Sequence, residues 1–225
     1  MPHRCTVTYF PNLRQAFILG GGLPNQDLCP SLRQVLQVNF SESIKDWQGK
    51  SVEAHLLPKE LKHARYCHAT SPIEIDEKQY LLVTGSSLPD AEDKAELFSL
   101  ATNNSIILPK LSRPRQRHSQ VVLEPQTVYC FNHDSIEFLK VNLKWKFDAQ
   151  AQKLWTPVQL RVPPLPVEPT LLPVAGDRIV IAGGEMMPEV LNYTMFVVNT
   201  EESPKITKTG PCFDPFVWNY NLPHI

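Results

Sequence analysis

A chain of 225 residues, with 42% hydrophobic residues, 20% charged residues and a net charge of −1, is long enough to bury a core and too evenly charged for a disordered tail or a polyanion binder. Its 21 prolines against 9 glycines call for short elements joined by stiff connections, which disfavours a helical bundle.

In chain order, the first strong element is the apolar run AFILGG at residues 16–21. It returns as LLVTGS at 81–86, VYCFNH at 128–133 and IVIAGG at 179–184, with 65, 47 and 51 residues between the closing positions. After each run a second apolar segment follows: VLQVN (35–39), LFSLA (97–101), FLKVN (138–142) and MFVVN (195–199). A Trp or aliphatic position comes next, at Trp47, Ile106, Trp155 and Ile206. The first three units then carry proline-bearing stretches, LLPKEL, LPKLSRP and VPPLP. A basic residue and a histidine open the next unit, as Arg65 with His68 and Arg115 with His118; His68 stands 17 residues before Gly85, as His3 does before Gly20.

Two ordered signals repeating together mark a repeat architecture. Each unit reads as four strands: one after the histidine, one ending in the glycine pair, one ending in a small polar residue and one near the Trp. A single four-stranded meander cannot bury both faces, so copies must stack, and twisted sheets stacked about an axis make a propeller. The second strand, covered on both sides, is then continuously apolar rather than alternating. The glycines at Gly20, Gly21, Gly85, Gly183 and Gly184 close that crowded strand where a β-carbon would clash and positive φ is needed.

These residues resemble a kelch-repeat β-propeller over nearly the whole chain. The resemblance implies an all-β, kelch-type propeller occupying residues 1–225 as one domain, with blades at about 3–58, 65–109, 116–162 and 169–210 and a partial fifth unit at 211–225. The sequence departs from the pattern at Gly85-Ser86, Asn132-His133, Ile106, Ile206 and Thr170-Leu-Leu. Kelch propellers usually have more blades than four, so the expectation is either a part of a longer propeller or a short one closed by its last strand or by another subunit.

Enzymatic motifs such as G-x-x-x-x-G-K-[ST], H-E-x-x-H and G-x-S-x-G are absent from the sequence. Gly20-Gly-Gly22 leads into Leu-Pro-Asn rather than a helix start, so it reads as a turn. Arg65, His68, Arg115 and His118 recur with the repeat and read as framework, with the Arg forks bonding loop carbonyls between blades. Trp47 and Trp155 read as packing between blades. The seven histidines show no ligand pairing, so neither a metal nor a cofactor is expected. Five scattered cysteines without a C-x-x-C pair read as reduced thiols; with no signal-peptide or membrane-span pattern, the expected location is cytoplasmic.

Lys110, Arg113, Arg115 and Arg117 concentrate four basic side chains in eight residues without stacking aromatics, which reads as a partner-facing loop between blades rather than a nucleic-acid patch. Asp90-Ala-Glu-Asp93 supplies an acidic counterpart. The expected function is a non-enzymatic protein-interaction scaffold presenting residues 22–31, 87–95, 110–117 and 185–190, with another protein as partner and neither nucleic acid nor membrane. Self-association or further blades would complete the ring. The alternatives are a kelch-type enzyme acting on a sugar-like substrate in the axial channel, and an interaction fragment of a longer enzyme.

Overall fold

The computed structural model describes residues 5–21, 33–40, 53–123, 126–132, 135–141, 155–158, 168–174, 178–183, 185–186, 190–191, 194–199 and 205–211. These residues form an all-β, incomplete β-propeller of four successive antiparallel four-stranded sheets. The first sheet runs β1 (Thr6–Phe10), β2 (Gln15–Leu19), β3 (Val35–Asn39), β4 (Glu53–Leu56), and the second β5 (Ala69–Ile75), β6 (Lys78–Thr84), β7 (Ala95–Ser99), β8 (Ser105–Ile107). The third runs β9 (Ser119–Leu123), β10 (Thr127–Asn132), β11 (Ser135–Lys140), β12 (Thr156–Val158). In the fourth, β13 (Thr170–Val174) and β14 (Arg178–Ala182) are followed by the small hairpin β15 (Glu185–Met186) and β16 (Val190–Leu191), and then by β17 (Thr194–Asn199) and β18 (Lys205–Pro211). Pro211 thus closes the fourth sheet; residues 212–225 lie outside the described residues, as do Trp47 and Gly184.

Strand order within every sheet follows chain order, so each blade is a local meander. Neighbouring blades meet through their first strands, with β1 against β5, β5 against β9 and β9 against β13, and without comparable packing of β13 on β1 among the described elements. The first strands therefore line the hub. Hydroxyl groups bridge the blades there: Thr8 Oγ1 lies 2.7 Å from Thr70 Oγ1, Ser71 Oγ donates to the Gln120 carbonyl at 3.3 Å, and Ser119 Oγ donates to the Pro169 carbonyl.

The core is divided among three apolar clusters, one between each pair of consecutive blades. Phe17 and Leu19 of β2 pack with Leu81 and Val83 of β6. Tyr80 and Leu82 of β6 pack with Val128 and Cys130 of β10. Tyr129 and Phe131 of β10 pack with Ile179 and Ile181 of β14. Since side chains alternate across a strand, each second strand sends one parity forward and the other back. Both parities of β6 and β10 must then be apolar, which is why their runs do not alternate, and Leu81, Leu82 and Val83 are all fully buried. By contrast, Val7 on the outer side of the first blade is 62% exposed and Leu172 on the outer side of the fourth is 51% exposed.

Candidate functional site

Linkers between blades and turns after the second strands meet on one side of the arc. Gly21 N donates to the Arg65 carbonyl at 3.0 Å, and Ser86 N to the Arg115 carbonyl at 3.0 Å, so each turn leans on the backbone of the following linker. Gly20 (φ +58) and Gly85 (φ +61) make that contact feasible. A β-carbon on Gly20 would stand 2.5 Å from the Arg65 carbonyl oxygen and 2.7 Å from His68 Cε1, and one on Gly85 would overlap Arg115 and His118 in the same way. Gly21 and Gly183 are left-handed as well.

Each linker arginine then turns its side chain into the next blade. Arg65 Nη1 donates to the carbonyls of Gly85 (2.9 Å), Ala91 (3.2 Å) and Lys94 (3.0 Å), while Nη2 and Nε reach Glu96 Oε1 at 2.7 and 3.1 Å. Lys62 N donates to the other carboxylate oxygen at 2.8 Å. One blade later the arrangement repeats: Arg115 bonds Glu137 and the Ser135 carbonyl, and Ser112 N donates to Glu137 Oε2 at 2.9 Å.

All four charged side chains are closed to solvent. Arg115 is 1% exposed, which corrects its place among the surface-facing basic residues: a guanidinium spent on a buried carboxylate cannot meet a partner. Burial would raise the Glu96 pKa, but the adjacent His63 ring, Arg65 and the Lys62 amide outweigh it and hold the carboxyl near 2. Burial lowers the Arg65 pKa, and Glu96 opposes the shift. The imidazoles that follow are neutral for the same reason. Burial, reinforced by the neighbouring arginines, brings His68 and His118 down to about 3. Their Nε2 atoms lie 2.8 Å from the hydroxyls of Thr6 and Thr84 respectively.

Glu96 and Glu137 escape a reading of the sequence that aligns third strands by their polar ends. Pairing register places Leu36, Glu96, Glu137 and Phe196 opposite Ile18, Val83, Cys130 and Ile181, each two residues before a turn. The available signal was a coincidence across units. The two blades entered through Arg-x-x-His carry Glu at this position, and the fourth, entered through Glu168-Pro-Thr, carries Phe196.

Above this sealed layer lies a charged rim. Asp93, in the turn of the second blade, accepts from Lys94 Nζ at 2.9 Å and from Lys110 Nζ at 3.0 Å, tying that turn to the following linker. Burial would raise its pKa, but the two ammonium groups hold it below the ordinary value. The backbone fixes the same junction, with Leu111 N donating to the Asp93 carbonyl at 2.9 Å and Arg115 N to that of Glu92 at 2.8 Å. Cys67, Arg117 and Glu168 hold equivalent left-handed positions (φ 53, 50 and 51), each two residues before the start of a first strand. Arg117 N donates to the Cys67 carbonyl at 3.0 Å, and its guanidinium reaches Glu168 at 2.8 Å, so consecutive linkers are chained around the hub. Arg113 is exposed on the same linker as Lys110. Residues 22–31 lie outside the described residues, and 185–190 carries the β15–β16 hairpin.

Trp155 lies in the cluster between the second and third blades and donates from Nε1 to the Pro109 carbonyl at 3.0 Å; Ile106 packs against the same cluster. Cys130 is a buried thiol whose pKa burial pushes up to about 12, so it behaves as a core side chain rather than a nucleophile. Among the described residues, no group of three or more His, Cys, Asp or Glu is placed to hold a metal ion, and no helix is long and apolar enough to cross a membrane.

No family model matches the chain, and a search of curated proteins finds no match. Solved structures do match, 170 chains among them. One of them, titled "Structure of YjhT", aligns with a TM-score of 0.58 over 96% of this chain and 67% of its own, at 13% identity. What the two share is the fold.

Proposed function

We propose that this chain is a kelch-type propeller acting as a non-enzymatic scaffold, which holds a protein partner on the rim formed by the 87–94 turn and the 108–118 linker. The observation that carries this reading is the division of labour among its polar residues. Arg65, Glu96, Arg115, Glu137, His68 and His118 are buried between blades, where they fix the backbone. Lys110, Arg113, Arg117, Asp93 and Glu168 stand on that fixed backbone with solvent access and mix both signs, with Lys110 paired to Asp93 and Arg117 to Glu168. A rigid base under a mixed-charge rim favours specificity and orientation in protein recognition over bulk attraction to a polyanion. A cytoplasmic setting fits the buried Cys130 thiol.

The test is affinity purification with mass spectrometry on the wild type and on a variant combining Arg113→Ala with Arg117→Asn. Asn tolerates the left-handed φ that Arg117 adopts, so the backbone is spared. The reading expects specific partners to be lost while the protein stays folded, with at most the small loss of stability that follows from removing the exposed Arg117–Glu168 pair. Identical capture by both proteins would refute it.

A further inference from the structure

We infer that the ion pairs joining turn to linker form a sorting code, reversed in sign from one blade junction to the next, which keeps each turn with its own linker while the chain folds. The first two junctions have matching backbones. Gly20 N donates to the Gln34 carbonyl at 3.5 Å as Gly85 N does to that of Lys94 at 2.9 Å, and Leu61 N donates to the Arg33 carbonyl at 2.8 Å as Leu111 N does to that of Asp93 at 2.9 Å. Arg33 therefore holds in the first turn the place of Asp93 in the second, and Glu60 on the first linker the place of Lys110 on the next. Across the first junction Arg33 Nε lies 3.4 Å from Glu60 Oε2, and across the second Lys110 Nζ lies 3.0 Å from Asp93 Oδ2. The contact is the same and the signs are exchanged.

Repeated units in one chain can stack out of order, and much of what holds these junctions does not tell them apart. Both linkers set an arginine on a buried glutamate, Arg65 on Glu96 and Arg115 on Glu137, and both turns lean on that arginine's carbonyl. A first blade laid against the third could form the same backbone bonds. It would, however, set Arg33 against Lys110. A second blade laid against the linker before another copy's second blade would set Asp93 against Glu60. Like charges in contact disfavour both errors, while the correct order satisfies both pairs. Exposed pairs of this kind add little to the stability of the finished fold, and these four side chains keep between 27% and 52% exposure. Their effect falls on the choice between stacking orders.

Refolding of the full chain by dilution from urea tests this with two variants. Asp93→Arg, Lys94→Gln and Lys110→Glu together copy the first junction's residues onto the second, so both junctions carry one sign pattern. Adding Arg33→Asp, Gln34→Lys and Glu60→Lys exchanges the two sets and restores the difference. The correctly stacked share is read by NMR from contacts of the Leu81 methyls with Phe17 and of the Leu82 methyls with Val128. The triple variant should leave about 2–5-fold more protein mis-stacked than the wild type. The sixfold variant should return to the wild-type share. Equal shares in the wild type and the triple variant would overturn the inference. So would a sixfold variant that refolds no better than the triple one, because the loss would then belong to the substitutions themselves and not to the sign pattern. No partner is present in this experiment, so its outcome is separate from partner capture at the 108–118 rim.

Discussion

Arg65, on the linker entering the second blade, grips Glu96 of β7 through two of its nitrogens, and the same linker presents the Lys62 amide to the second carboxylate oxygen. A linker that would otherwise be only a connection is thereby locked into the blade it introduces.

Losing one partner strands a charge in a sealed site, which typically costs about 3–5 kcal/mol, whereas replacing both with apolar groups is often near neutral. Arg65→Met and Glu96→Leu should each destabilise by that amount in urea titrations, and the double variant should recover part of the loss, since the carbonyls of Gly85, Ala91 and Lys94 and the Lys62 amide still lose their partners. The first blade already shows an aliphatic solution, with Leu36 in the register position of Glu96. Additive losses in the double variant would contradict this account of the pair.

The turn glycines separate two effects. Gly183 has left-handed φ but open space around its missing β-carbon, so Gly183→Ala should lose only the backbone term, about 1–2 kcal/mol. At Gly85 the same φ is joined by the Arg115 carbonyl and His118, and Gly85→Ala should add an overpacking cost of about 1–3 kcal/mol. Thermal melts of the two variants side by side check the order; equal losses would mean that Gly85 is not clamped between blades.

The architecture was legible because packing on both sides imposes an unusual pattern on a second strand, and that pattern repeats near LLVTGS and IVIAGG. The buried ion pairs were not. Glu96 and Glu137 look like ordinary polar interruptions of apolar strands, and only the pairing register shows that they share one position and face the recurring arginines. Arg115 carried two signals, its place in a basic cluster and its recurrence before a histidine, and its burial follows the second. The left-handed residues Cys67, Arg117 and Glu168 carry no common side chain, so their equivalence exists only in the backbone.

Acid should weaken the fold earlier than its carboxylates alone would dictate. His68 and His118 have an ordinary pKa of 6.5 and are held near 3 by burial in the fold. Below pH 6.5 the unfolded chain takes up protons that the folded chain refuses, so stability falls as pH falls from 6.5 towards 3, by about 1.4 kcal/mol per pH unit for each histidine. Glu96, depressed from 4.5 to about 2, adds a further loss below pH 4.5 with the same sign. Urea titrations between pH 7 and 5 should show this slope, and His118→Gln, which can still bond the Thr84 hydroxyl, should halve it. An unchanged slope in that variant would rule out His118 as a source.

Trp155 ties the third blade to the linker before it through the Pro109 carbonyl. Trp155→Phe keeps most of the packing but leaves that carbonyl unpaired, a loss of about 1–3 kcal/mol. Trp155→Ala should cost about 3–5 kcal/mol. Urea midpoints rank the two; a Phe variant as stable as the wild type would show that the hydrogen bond contributes nothing.

The central claim is that blades stack in series with alternate residues of each second strand facing opposite neighbours. Methyl and aromatic NOEs in the labelled protein test it directly. The Leu81 and Val83 methyls should show contacts to Phe17 and Leu19, those of Leu82 to Val128, and those of Ile179 and Ile181 to Tyr129 and Phe131. Contacts from Leu82 to Leu19, or from Ile181 to Val128, would place the wrong faces together and contradict the stacked arrangement.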